Sequence, residues 1–191
     1  MMEHMLSAIG KNFPMAELSC GEYAQMKVSG MKFSIRQFHA EGLGHVSAMV
    51  ASGFFGLMKM DTLIFELYDT LLGNTDLSGL DAVKQQYQAL PEHDLGSHWY
   101  DPIKLPQSLS KKGKKVHTTA FHAAAKNYMA AYLEAAKAAS SCDADAKREK
   151  ASVYVEGLLT NGGPSTDVFK KGIGDEKTAQ LFRKVLFATE K

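Results

Sequence analysis

Cysteine is scarce in this chain: Cys20 and Cys142 are the only two among 191 residues. They form no CxxC pair and no zinc spacing, which excludes a disulfide framework or a zinc ribbon as the organising device. Two free thiols in a reducing compartment are expected. An excess of charge of one sign is lacking as well. Lys plus Arg is 22 and Asp plus Glu is 21, a formal net charge of +1. That balance removes any global reason to bind nucleic acid or anionic lipid. No stretch approaches the roughly 18 apolar residues of a membrane span. The start, Met1-Met2-Glu3-His4-Met5-Leu6, has no basic segment followed by an apolar run, so no secretory signal is read and a cytoplasmic location is expected. Tryptophan occurs once and proline five times, so each proline marks a break worth placing.

What is present is ordinary for a folded domain: 45% hydrophobic and 23% charged residues, which argues against disorder or a fibre. A single domain over residues 1–191 is expected, with a sheet-forming half at 23–70 and a mainly helical half at 77–191. Glu3 to Phe13 reads as a short helix ended by Pro14. Lys27 to Phe38 alternates apolar and polar over its second half, Gly42-Leu43-Gly44 is a turn, and His45 to Ala51 alternates again. Gly53 and Gly56 punctuate a bend before the strand-like run Met60 to Asp69. Short glycine turns imply an antiparallel meander. Helices are expected over Leu77–Leu90, His117–Ala139 and Ala144–Leu159, then a short one capped by Ser165 or Thr166, then Asp175–Thr189. Asp143 is a candidate N-cap. Glu92 to Lys115 reads as irregular, broken by Pro102 and Pro106. Sheet first and helices second predicts an α+β layered domain.

Few residues point to chemistry. The seven histidines give no HxxxH or HExxH spacing, so a metal site is not expected. His39 and His45 flank the first turn. The glycines at 162–163 and 172–174 lack the residues of a phosphate or dinucleotide loop and read as helix ends. Asp61 is the notable acid, lying in an apolar strand run between Met60 and Leu63. It either faces solvent or occupies a buried polar site, where desolvation raises its pKa and makes it a proton donor near neutral pH. Lys111, Lys112, Lys114 and Lys115 form the one sharp charge cluster. It reads as a solvated loop or as a surface that steers an acidic partner.

Two stretches resemble the ferredoxin-dependent bilin reductases, which reduce open-chain tetrapyrroles such as biliverdin. One is the C-terminal block: Val168-Phe169-Lys170-Lys171-Gly172-Ile173-Gly174-Asp175-Glu176, then Ala179-Gln180-Leu181-Phe182 and Val185-Leu186-Phe187. The other is the meander: Lys32-Phe33-Ser34-Ile35, Met49, Gly56-Leu57, Asp61-Thr62-Leu63-Ile64-Phe65 and Glu66-Leu67-Tyr68-Asp69-Thr70. Together they cover roughly half the chain as separated blocks. The resemblance implies a three-layer α/β/α sandwich with a central antiparallel β-sheet and a tetrapyrrole pocket between the sheet and the C-terminal helices. It implies no tightly bound cofactor, electrons from an external ferredoxin (2Fe-2S) or flavodoxin, and protons from side chains. Carried over by position, Asp61 falls beside the bilin, Met49 where some members have a catalytic Glu, and Ser47 where a neighbouring His stands. Arg36, Lys59 and Arg183 are candidates for the ligand's propionates, and the Lys111 to Lys115 run for docking the electron donor.

The departures are equally concrete. Asn161-Gly162-Gly163-Pro164 lacks the family's second proton-donating Asp, and the Pro-Leu-Phe-x-x-Asp hairpin is missing, since Phe65 passes directly to Glu66. Three readings therefore stand: a bilin reductase, a non-enzymatic tetrapyrrole carrier on the same fold, or an unrelated α+β protein.

Overall fold

The computed structural model describes residues 2–40, 49–57, 60–70 and 75–190. Ser47, Lys59, His45 and the turn at 42–44 lie outside the described residues. The strands are β1 (Met15–Leu18), β2 (Gln25–Val28), β3 (Met31–Ser34), β4 (Gln37–Ala40), β5 (Met49–Leu57), β6 (Met60–Tyr68) and β7 (Leu109–Lys114). The helices are α1 (Met2–Gly10), α2 (Ser78–Gln86), α3 (Thr118–Ala138), α4 (Ala144–Asn161), α5 (Pro164–Ile173) and α6 (Asp175–Gln180). The last continues as a π-helical turn over Leu181–Leu186.

The α+β expectation holds, and every described strand pair is antiparallel. One continuous meander does not. Among the described residues the strands form three separate ladders, β1–β4, β2–β3 and β5–β6–β7. The predicted strand over Lys27–Phe38 is cut by Ser29 and Gly30, whose φ angles of 50° and 82° make a tight hairpin turn. Gly53 and Gly56 do not bend the chain. They sit in register opposite Ile64 and Asp61 within an unbroken β5. β6 likewise runs straight through Phe65 and Glu66.

The larger correction concerns Glu92–Lys115. It contains β7, which pairs with β6 from Met60↔Lys114 to Phe65↔Leu109. Leu109, Lys111 and Gly113 alternate as its buried face. A lysine on that face hides the apolar period. The irregular residues before β7 are pinned by Trp99, whose indole N–H donates to the Gly162 carbonyl at 2.9 Å.

Period-2 alternation gives β6 two different faces. Leu63, Phe65 and Leu67 are buried with Leu80 and Val83 of α2 and with Phe121, Ala124 and Tyr128 of α3. Phe65 stacks on Tyr128 with ring centroids 4.4 Å apart. On the opposite face, among the described residues, only Tyr68 joins a second core, built from Tyr100, Tyr154, Val155, Leu158, Phe169, Leu181 and Phe182. Thr62 and Ile64 on that face are half-buried, and among the described residues neither belongs to a core.

The helix ends follow local chemistry. Asp143 caps α4 as expected, accepting from the amides of Asp145 and Ala146. Gly162 (φ 80°) and Gly174 (φ 83°) end α4 and α5 in the left-handed region. Neither Ser165 nor Thr166 caps α5. Its N-cap is Gly163, with Pro164 at the first turn, where a missing amide proton costs nothing. Neither Cys20 nor Cys142 is in a disulfide. Among the described residues no helix is long and apolar enough to cross a membrane.

Candidate functional site

β5, β6 and β7 contain only two acidic residues, Asp61 and Glu66. They are five residues apart, an odd interval, so a regular strand sends them to opposite faces. Their surroundings differ accordingly.

Asp61 shares the α3 face and is 0% exposed. The chain leaves β7 and turns at once into α3, carrying Lys115 and Thr118 over the carboxylate. The Lys115 ammonium donates to Asp61 Oδ1 and the Thr118 hydroxyl donates to Oδ2. Gly113 lies opposite Asp61 in the ladder, and a Cβ there would meet His117 Nδ1 at 2.6 Å. The Lys115 hydrogen bond, then that of Thr118, holds the Asp61 carboxyl below the usual carboxylate range, outweighing desolvation. The expected upward shift is therefore reversed. The expectation treated burial as unpaired, whereas here a cation and a hydroxyl satisfy both oxygens. A carboxylate locked in this way is not poised to release a proton near neutral pH.

Glu66 lies on the other face with its side chain 13% exposed. The Tyr68 hydroxyl donates to Oε2 at 2.5 Å, and the Lys104 ammonium donates to Oε1 at 3.4 Å. Tyr68 stacks on Tyr154 with centroids 4.0 Å apart and meets Tyr100 edge-on at 5.6 Å. Burial raises the phenol pKa of Tyr68 and Tyr154 strongly and that of Tyr100 to about 12. These phenols stay protonated, so Tyr68 remains a donor to Glu66. This tyrosine cluster fills the space between the sheet and the C-terminal helices at the Tyr68 end. Among the described residues, the face from Thr62 to Glu66 is the part left outside a core.

Beside it, at the β7 edge of the sheet, lies a groove of about 390 Å³ lined by Lys84, His93, Asp94, Lys104, Ser108 and Ser110, among others. Lys104 is opposite Tyr68 in an antiparallel bridge and Ser110 is opposite Ile64. Both therefore belong to the Glu66 face.

The other expected site residues disperse. Arg36 grips Glu17 through two hydrogen bonds of 2.8 and 3.0 Å, and Arg183 grips Glu156 at 2.7 and 2.6 Å. Both guanidiniums are spent on protein carboxylates. Met49 pairs with Tyr68 at the end of the β5–β6 ladder. Lys111 is 2% exposed, donates to the Leu90 carbonyl at 3.1 Å and pairs with Glu92. It is structural and leaves the expected docking group. Lys112, Lys114 and Lys115 are exposed, with Lys115 shared with Asp61. Among the described residues no group of His, Cys, Asp or Glu could hold a metal. Sequence reasoning missed Glu66, Lys104 and Ser110. The odd interval from Asp61 was a readable signal for Glu66, but nothing local marks the other two.

No protein-family model and no curated protein matches this sequence. The fold, however, is shared with a solved structure. The crystal structure of phytochromobilin synthase from tomato in complex with biliverdin superposes with a TM-score of 0.75 at 12% identity, over 98% of this chain and 82% of that one. At that identity the likeness establishes the fold.

Proposed function

We propose that this protein binds an open-chain tetrapyrrole on the Glu66 face of the β5–β6–β7 sheet and reduces it. The observation that carries this reading is a fold shared over 98% of the chain with a protein whose structure holds biliverdin. The bilin lies between this sheet face and the C-terminal helices, against Thr62, Ile64 and Glu66, with the Tyr68–Tyr100–Tyr154 cluster closing one end. A linear tetrapyrrole offers ring N–H donors and becomes a cation when its ring nitrogens are all protonated. A carboxylate steadied by Tyr68 and Lys104 accepts those N–H groups and stabilises that cation, which takes up an electron more readily. Reduction adds two electrons and two protons to the pigment. The electrons come singly from an external 2Fe-2S ferredoxin, or from a flavodoxin, and two donor molecules are oxidised. The protons come from solvent by way of the Glu66 site. Lys112, Lys114 and Lys115, with Val116 80% exposed beside them, are the surface on which an acidic electron donor docks.

A non-enzymatic carrier is the second reading, favoured by the ion pair that removes Asp61 from proton donation. Mixing the purified protein with biliverdin should sharpen and red-shift the pigment's absorption. Adding chemically reduced ferredoxin should then bleach the band. A shifted band that never bleaches selects the carrier, and an unshifted spectrum rejects both readings.

A further inference from the structure

The residues before β7 fold into a compact turn between the sheet and the C-terminal helices. The His98 amide donates to the Asp101 carboxylate at 2.8 Å. The Asp101, Ile103 and Lys104 amides donate to the carbonyls of His98, Tyr100 and Asp101 at 3.1, 3.0 and 3.1 Å. The sheet holds one end of this turn. The Asp69 amide donates to the Ile103 carbonyl at 2.7 Å, and the Leu105 amide donates to the Leu67 carbonyl at 2.8 Å. The helices hold the other end through Trp99. Its indole N–H donates at 2.9 Å to the carbonyl of Gly162, the residue that ends α4. Its six-membered ring lies over Gly157 inside α4, where a Cβ would fall 2.1 Å from Trp99 Cη2. Glycine inside a helix is unfavourable relative to alanine. Here its missing side chain is the space that the indole occupies. Tyr154 lies three residues before Gly157, so the two share a helix face. The Trp99 and Tyr154 ring centroids are 6.0 Å apart. Tyr154 in turn stacks on Tyr68, whose hydroxyl donates to Glu66.

We infer that Trp99 is a positioning residue for the Glu66 site: by tying α4 to the turn, it sets the Tyr154 ring against Tyr68 and so aims the Tyr68 hydroxyl at Glu66. The inference rests on the bilin reading above. A hydrogen bond weakens steeply as its donor is turned away from the acceptor. A functional carboxylate therefore depends on whatever locks the rotamers of its donors. The Tyr68 ring is locked from the helical side by Tyr154, and Tyr154 is locked by the indole beside it. The same turn carries Tyr100, which meets Tyr68 edge-on, and Lys104, which reaches Glu66 Oε1. Trp99 acts on Glu66 at one remove, through the phenol.

The test is a double-mutant cycle read on bound biliverdin in the intact chain, each variant first shown to be folded by circular dichroism. Trp99→Phe keeps a ring over Gly157 and removes the indole N–H. Tyr68→Phe keeps the stack on Tyr154 and removes the hydroxyl. Gly157→Ala displaces the indole from the helix side and is a second way to disturb the tie. Trp99→Phe and Gly157→Ala should each move the bound pigment's absorption band in the direction that Tyr68→Phe moves it. Each should weaken binding about 3- to 10-fold, the range for one neutral hydrogen bond. In the Tyr68→Phe background, Trp99→Phe should move neither the band nor the affinity further. A purely structural Trp99 lowers the unfolding midpoint in both backgrounds and leaves the band in place, and that result overturns the inference while the bilin reading stands. A band shift of equal size with and without the Tyr68 hydroxyl does the same. A wild type that leaves the biliverdin spectrum unchanged overturns the bilin reading and this inference together.

Discussion

The two faces of the β5–β6–β7 sheet carry one acid each, and they treat it in opposite ways. On the α3 face Asp61 lies among packed apolar residues and is closed off by Lys115 and Thr118. On the other face Glu66 keeps an accessible edge, a protonated phenol and a long lysine contact. The first arrangement makes a carboxylate part of the architecture. The second leaves lone pairs for a visitor. An acid's place in a strand run therefore says little about its role until its face is known, and one residue of register decides that face.

The comparison can be broken first on packing. Phe65→Ala removes a ring stacked on Tyr128 in the α3 core and should cost about 3–5 kcal/mol. Its neighbour Ile64 points the other way, and Ile64→Ala should cost less than about 2 kcal/mol, below the range for a fully buried isoleucine. Chemical denaturation of the two variants checks this. Equal losses would mean that both faces are equally packed. A second test concerns the loop that borders the Glu66 face. A Cβ on Gly157 would fall inside the Trp99 indole. Gly157→Ala should therefore cost about 1–3 kcal/mol by overpacking, read in the same unfolding experiment. It should also change Trp99 fluorescence, the protein's only tryptophan signal.

The smallest effect is the titration of Asp61. Its folded-state pKa lies below the usual value of about 3.9. The stabilisation it gives is complete above that value and is lost as pH falls through the folded-state pKa. Asp61→Asn should lower Tm by a few degrees at pH 7, and its Tm should fall less steeply than the wild type's below about pH 4. A Tm–pH curve parallel to the wild type's would remove the ion pair from the account.

Much of the helical half was legible because its signals are local. Asp143, Gly162 and Gly174 mark ends through their own backbone chemistry, whereas α2 stops at Gln86, short of Leu90 and the expected stop at Pro91. The sheet was less legible because its pairing is not local. β6 and β7 are neighbours in space but are separated by α2 and the irregular residues before Leu109. Lys111 worsens this: a lysine in a buried position, inside a run of lysines, makes β7 look like a solvated loop. The same non-locality hid the candidate site. Asp61 stood out because it interrupts apolar residues. Its partners come from a later strand-to-helix connection that no strand pattern could announce. Glu66 drew no attention because its neighbours Leu67 and Tyr68 read as an ordinary strand end. Lys104 and Ser110 reach the site only through tertiary pairing.

The most direct measurement is the absorption spectrum of biliverdin bound to three proteins at pH 7: the wild type, Glu66→Gln and Asp61→Asn, each first shown to be folded by circular dichroism. The account predicts the same shifted band for the wild type and Asp61→Asn. For Glu66→Gln it predicts a changed band and about 10- to 100-fold weaker binding, as expected for a lost hydrogen bond to a charged group. An altered pigment in Asp61→Asn beside an unaltered one in Glu66→Gln would place the ligand on the α3 face and contradict it.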